Sequence, residues 1–339
     1  MIKPRIILPA IFVLLFAGRG MAQAQQGQNQ AKGPLPLEKL RARLQEMVDL
    51  FPGTMGVAVR DIKTGEELSI NGDRLFPMAS VFKIPILVEV FRQAEAGKFS
   101  LDERLEITEN DRTLGSGVLP LLSSGLKPTI RDLALLMIIL SDNEATDILL
   151  KKVGAENVTA TMRSLGLGNI RVDRTTFELI RDFIALSDER VKGKSSKEIM
   201  LLPQSGTNQP SPEKIAAAEK EFAAILKDVA SPRDMAKLIE KIVRGEVAGK
   251  DSCNQMMTIL RRQQFNQRLP RYLPESAGMA HKTGTIGSVT NDAGVIFVRG
   301  RPVVLVVFTV DKRTSRGEVE EQMGRLARTV YDFFDFSGR

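Results

Sequence analysis

"FPMASVFKIPI", residues 76–86, decides how this chain is read. Nine of its residues are apolar; the exceptions are Ser80 and Lys83, three positions apart. That spacing puts a hydroxyl and an amine on one face of a helix, one turn from each other. A lysine in an apolar wall costs free energy unless a partner or a reaction uses it. Taken alone the pattern is weak, because a lysine can also thread its stem along apolar surface and leave its head in water.

Outward from this stretch, apolar residues at Leu37, Leu40, Leu44, Met47 and Leu50 predict a helix. "TMGVAVRDI" and "EELSIN" read as two strands joined at Lys63-Thr64-Gly65. Residues 80–97 read as one helix. "TIRDLALLMIIL" starts at Thr129 with Asp132 closing a capping box, and reads as a helix buried all round. "SPRDMAKLIEKIVRG" repeats the device with Ser231, Pro232 and Asp234. The stretch from about 184 to 230 is charged and rich in Gly, Ser and Pro, and reads as an inserted surface element. "AGMAHKTGT", "NDAGVIFVRG" and "RPVVLVVFTVDK" read as strands, the last two turning at Gly300-Arg301, before a closing helix. The fold class is therefore α+β. An antiparallel sheet drawn from both chain ends is flanked by helices and carries an inserted all-α subdomain. The expected boundaries are 35–78 with 251–339 for the α/β part and 79–250 for the helical part.

Lys3 and Arg5, the apolar run 6–17 and Ala22-Gln23-Ala24 form a secretory leader pattern over residues 1–24, followed by a Gln-rich spacer at 25–34. The protein is expected outside the cytoplasmic membrane, periplasmic or secreted, with no stable membrane insertion after cleavage. Cleavage would leave 45 basic residues against 41 acidic ones. Those charges are interspersed, with no basic stripe carrying aromatics, so no nucleic-acid partner is expected. Cys253 is the single cysteine, read as a buried small hydrophobe, and His281 is the single histidine. Neither a metal site nor a cofactor is expected. No nucleophile elbow and no phosphate loop occur.

Two further elements raise the weight of Ser80 and Lys83. Ser141-Asp142-Asn143 follows directly on the apolar helix, and Lys282-Thr283-Gly284 lies on a terminal strand. Either could be structural: the first as the cap of the next helix, the second as an ordinary strand charge. Lys63-Thr64-Gly65, the same tripeptide in a turn, is a built-in control. The three elements in this order form the set S-x-x-K, S-D-N, K-T-G.

With these motifs the chain resembles class A β-lactamase-type serine hydrolases of the β-lactamase and penicillin-binding protein superfamily. "GSGVLP", "SLGLGNIRVDR" and "AHKTGTIGSVTNDAGVI" extend the likeness from about residue 36 to 336. The resemblance implies Ser80 as nucleophile and Lys83 as its base, lowered in pKa by burial and by the second cation Lys282. It implies Ser141 as proton relay and Asn143 as holder of the substrate amide. Lys282 and Thr283 would attract the substrate carboxylate, and Gly284 would let the strand come close. The N–H groups of Ser80 and Thr285 would form the oxyanion hole.

The resemblance also exposes a departure. After Arg171, Asp173 and Arg174, the place of the family's deacylating glutamate falls on Thr176. Ile180 and Asp147 stand where the family has asparagines, and a carboxylate at 147 is expected to repel a glutamate opposite it. Glu178, two residues on, is the alternative base if the loop is shifted. Three functions follow: a β-lactam hydrolase with slow deacylation, a D-Ala-D-Ala carboxypeptidase or transpeptidase, or a non-catalytic module that binds a β-lactam or muropeptide. The expected partner is a small β-lactam or a peptidoglycan stem peptide, and the protein is expected to be a monomer. A Ser-Lys-Tyr esterase would need Y-x-N, which neither Tyr272 nor Tyr331 supplies.

Overall fold

Both ends of the chain meet in one sheet. The computed structural model describes residues 37–202, 210–311 and 314–337, so the expected leader and spacer lie outside the described residues. Strands β1 (Thr54–Asp61) and β2 (Glu67–Ile70) come from the first part of the chain. Strands β5 (Met279–Ile286), β6 (Val289–Val298) and β7 (Arg301–Val310) come from the last. They lie in the order β2-β1-β7-β6-β5, every neighbouring pair antiparallel.

β7 shows why Val303–Phe308 is apolar at every position. Val303, Leu305 and Val307 face helices α1 (Leu37–Asp49) and α11 (Arg316–Phe336), packing with Leu40, Leu44, Leu326 and Val330. Val304, Val306 and Phe308 face the opposite way, toward a cluster that takes in α2 (Lys83–Glu95), α3 (Ile130–Ile139), α4 (Asn143–Val153), α5 (Ala155–Ser164), α9 (Pro232–Arg244) and α10 (Lys250–Leu260). A strand sends alternate side chains to opposite faces, so a sheet covered on both sides has no polar phase. The α+β class with a sheet from both ends and helices between is what the structure has.

Several local expectations shift. The β6–β7 turn is Arg299-Gly300, with φ of 49° and 82°, rather than Gly300-Arg301. A two-residue turn with both φ positive matches the strand twist, which is why the glycine takes the second place. The expected helix 80–97 divides into a single 3₁₀ turn, Ala79–Phe82, and α2. The Thr129 capping box is present, with Thr129 Oγ1 accepting the Asp132 N–H at 3.0 Å and Asp132 accepting the Thr129 N–H at 3.0 Å. α3 itself is buried on one side only: Arg131 and Asp132 are exposed, and Leu135, Leu136 and Ile139 half-buried. Ser231 caps α9, but Asp234 accepts the N–H of Asn169 at 3.0 Å instead of closing a box. Cys253 is buried on α10.

The segment read as an inserted surface element packs against the rest of the fold. It contains the end of α6 (Thr176–Ala185), α7 (Ser196–Met200), α8 (Pro212–Ala224) and the short strand β4 (Val229–Ala230), which pairs with β3 (Phe76–Pro77). Phe222 of α8 is buried and meets Phe183 of α6 edge to face at 5.1 Å. Together with Ala79, Leu179, Ile286 and Val289 it forms a small third apolar cluster. Charge and Gly content identified a loop-rich segment but could not show that one of its faces is apolar and packed. No described helix is long and apolar enough to cross a membrane.

Candidate active site

The S-x-x-K stretch is anchored from below by the sheet. Asn291 of β6 donates from Nδ2 to the carbonyls of Pro77 and Met78 at 2.8 and 3.1 Å, while its Oδ1 accepts the Thr309 N–H at 2.9 Å. Ala79 then takes a φ of 45°, unusual for a residue with a Cβ, and the 3₁₀ turn that follows carries Ser80. β5 passes so close that a Cβ on Gly284 would stand 2.6 Å from the Met78 carbonyl and 3.0 Å from the Ser80 nitrogen. Only glycine fits there.

Ser141-Asp142-Asn143 serves both capping and the site. Asp142 caps α4 through the Ala145 N–H at 3.0 Å, and its other oxygen accepts the N–H groups of Val118 and Leu119 at 2.7 and 2.9 Å. That second contact pins the "GSGVLP" loop over the turn. Ser141 sits at a φ of 55° with its carbonyl accepting from Lys83 Nζ at 2.7 Å and Ser116 Oγ at 2.8 Å. Asn143 points Oδ1 at Lys83 Nζ, 2.7 Å away, and Nδ2 at the Leu114 carbonyl, 2.8 Å away.

Lys83 and Lys282 are both fully buried. Lys83 Nζ lies 3.1 Å and Lys282 Nζ 3.0 Å from Ser141 Oγ. Burial pulls Lys83 down from 10.5 to about 7, against the carboxylates of Asp147 and Asp142, which pull it back up. Lys282 is held well below its ordinary range by burial, then by the positive charges of Lys83 and Arg268. The expected effect of a second cation therefore falls on Lys282, while the neighbours of Lys83 that matter are acids. The control tripeptide behaves as a control: Lys63-Thr64-Gly65 is a turn, with Gly65 at a φ of 76° and Thr64 bonded to Asp61.

A cavity of about 540 Å³ opens at this point, lined by Ser80, Ser116, Ser141, Asn143, Thr176, Thr283 and Thr285 among others. The structure thus brings residues of the three motifs to one cavity, with both ammonium groups bonded to Ser141. Thr176 lines the cavity and Glu178 does not. Glu178 turns back to accept the N–H and hydroxyl of Thr175 at 2.8 and 3.0 Å, in the capping box of α6. That engagement turns the Glu178 carboxylate to the cap of α6. Asp147 lies against the start of α6. Oδ1 accepts the Thr176 N–H at 2.6 Å, and Oδ2 accepts the Phe177 N–H at 3.0 Å and the Thr113 hydroxyl at 3.1 Å. It is the acceptor for the first two N–H groups of α6, position 176 included.

Two residues escaped the sequence reading. Arg268, buried, donates to the carbonyls of Gly284 at 2.9 Å and Asn291 at 2.6 Å, to Thr285 Oγ1, and to Glu320 at 3.2 Å. Asp228 accepts the N–H groups of Asp173 and Arg174 at 2.8 and 3.1 Å and pairs with the Arg174 guanidinium at 2.7 Å, closing the base of the loop before α6. Both act across long sequence separations, and no local pattern marks them.

The family model described as "Beta-lactamase enzyme family" matches residues 39–334. A β-lactamase of Streptomyces lavendulae is 30% identical over 286 residues, covering 83% of this chain and 80% of that protein. The crystal structure of a β-lactamase from Sphaerobacter thermophilus is 28% identical, covers 87% of this chain and 96% of its own, and has a TM-score of 0.68. A mutant of PBP-A, solved as an acyl-enzyme complex with penicillin G, is 27% identical, covers 89% and 98%, and has a TM-score of 0.70. On the match over residues 39–334, this chain belongs to the β-lactamase enzyme family, as a serine hydrolase of the class A type.

Proposed function

We propose that the protein opens β-lactam rings through an acyl-enzyme on Ser80 and releases the product slowly. A neutral Lys83 amine takes the Ser80 hydroxyl proton as Oγ adds to the lactam carbonyl. The lactam C–N bond then breaks, and the nitrogen receives a proton through the Ser141 hydroxyl. Lys282, Thr283 and Thr285 hold the substrate carboxylate, Asn143 holds the side-chain amide, and the N–H groups of Ser80 and Thr285 receive the oxyanion. The observation that carries this reading is the shared oxygen: Ser141 Oγ lies 3.1 Å from one buried amine and 3.0 Å from another, on the wall that also holds Ser80.

Slow release follows from the acids available. Among the described residues that line the cavity Glu320 is the one carboxylate, and Arg268 binds it at 3.2 Å. Thr176, where the family resemblance places a deacylating glutamate, has no useful basicity. The same lack favours a second reading, a D-Ala-D-Ala carboxypeptidase or transpeptidase, with which the likeness to PBP-A agrees. With the leader pattern, either activity would be exported. The test is intact-mass spectrometry against time with benzylpenicillin. An adduct that accumulates on Ser80 and is missing in Ser80→Ala is the expected result. An undiminished adduct in Ser80→Ala overturns the assignment. An adduct cleared within the first second overturns slow release, and turnover of a D-Ala-D-Ala peptide by the same preparation decides for the second reading.

A further inference from the structure

His281, the chain's single histidine, takes no part in the acylation chemistry, yet it precedes Lys282 on β5 and is buried. Both of its ring nitrogens are engaged. Nδ1 lies 2.9 Å from Asp292 Oδ1, on β6, and Nε2 lies 3.1 Å from Asn266 Oδ1. Gly294 opposes His281 in the β5–β6 register, and a Cβ there would stand 2.5 Å from the His281 Cβ. Asp292, fully buried, turns its other oxygen to the Leu269 N–H at 3.2 Å. The histidine and the aspartate therefore grip one short segment at both ends, Asn266 and Leu269.

Residues 263–268 form neither helix nor strand, so side chains must set their course. Gln263 does so at the start, donating from Nε2 to the Ile138 carbonyl of α3 at 2.8 Å. Arg268 lies between the gripped ends with φ −106° and ψ −115°, outside the helical and strand regions. Its guanidinium donates to the carbonyls of Gly284 and Asn291 and to Thr285 Oγ1. Gly284 is where the strand presses on the Ser80 turn, and Asn291 holds Pro77 and Met78 before it. The path from the imidazole to the nucleophile thus runs through one arginine.

We infer that His281 is a positioning residue for acylation: with Asp292 it clamps Asn266–Leu269 and so fixes the Arg268 guanidinium against Gly284 and Thr285. The role rests on the Ser80 acylation proposed above, and the ring itself touches no reacting atom. Without the ring, the Asp292 carboxylate loses a buried partner and Asn266 loses its hold, so the segment keeps only one of its two grips.

The test is a double-mutant cycle, read in the second-order rate constant for acylation of Ser80 by benzylpenicillin. His281→Ala and Arg268→Gln should each lower it about tenfold or more. The two together should cost no more than Arg268→Gln alone, because the histidine acts through the arginine. The acid limb of the pH profile should stay in place in His281→Ala, since the groups that set Lys83 are burial, Asp147 and Asp142. If His281→Ala does not fold, Asn266→Ala removes the amide at Nε2 and enters the same cycle. Losses that multiply, a limb that moves, or a single variant at position 281 or 266 within twofold of the unmodified rate overturns the role while acylation stands. Absence of a Ser80 adduct in the unmodified protein overturns the acylation reading, and this role with it.

Discussion

Lys83 and Lys282 address the same atom: Ser141 Oγ accepts from the first at 3.1 Å and from the second at 3.0 Å. A hydroxyl has two lone pairs, enough to accept from both amines. Two full ammonium charges on one buried oxygen repel, and burial already disfavours each. The arrangement favours a state in which one amine is neutral, which is the state a general base requires.

Acylation by benzylpenicillin should therefore follow the titration of Lys83. The base is active when deprotonated, so the rate falls as pH drops through about 7. The Asp147 carboxylate pulls Lys83 upward, so Asp147→Asn should move that limb to lower pH. Lys83→Arg should slow acylation by about 10²–10⁴-fold, since guanidinium does not release its proton. Stopped-flow acylation rates from pH 5 to 9 check all three; a limb that stays in place in Asp147→Asn would show that another group sets it.

Thr176→Glu should shorten the life of the acyl-enzyme by about 10²-fold or more, by placing a base on the cavity wall. The sequence reading expected Asp147 to oppose this. Asp147 is instead held by three donors, from Thr176, Phe177 and Thr113. Adding Asp147→Asn replaces an acceptor at the start of α6 and should cost about 1–3 kcal/mol of stability. Adduct decay and urea melts of the single and double variants decide. A double variant that clears its adduct faster than Thr176→Glu alone would restore the repulsion argument.

Gly284→Ala should impair the site more than its size suggests. The new Cβ would press on the Met78 carbonyl at 2.6 Å, and neither partner is a flexible side chain. The strand or the Ser80 turn must move, at a stability cost of about 1–3 kcal/mol, and acylation should fall about 10²-fold. Gly65→Ala, in the control turn, should leave acylation unchanged.

Phe222→Ala tests whether the inserted segment is part of the site's support. Removing a buried ring that stacks on Phe183 should cost about 3–5 kcal/mol. Chemical denaturation measures that loss. If stability changes by less than about 1 kcal/mol, α8 lends the site no support and is a surface element only.

Much of this was legible locally. Apolar periodicity marked α1, and Thr129 with Asp132 marked the start of α3. The apolar run in "RPVVLVVFTV" marked a strand. The motif set picked out Ser80, Lys83, Ser141, Asn143, Lys282 and Thr283, because each residue type in that order carries chemical information. The distinction between the two K-T-G tripeptides was also readable, since one lies in a turn pattern and the other in a strand pattern.

What the tertiary structure decided are the partnerships that span the chain. Asp147 meets Thr176 across 29 positions, Asn291 meets Pro77 across 214, and Arg268 meets Asn291 across 23. A backbone N–H or carbonyl looks the same at every position in a sequence, so a side chain that acts by bonding to one leaves no local mark. Propensity and periodicity are set by near neighbours, and they are written in the sequence. Whether Glu178 is a base or a cap, and whether α8 is surface or support, depends on which distant groups the packed chain brings within hydrogen-bond or van der Waals reach.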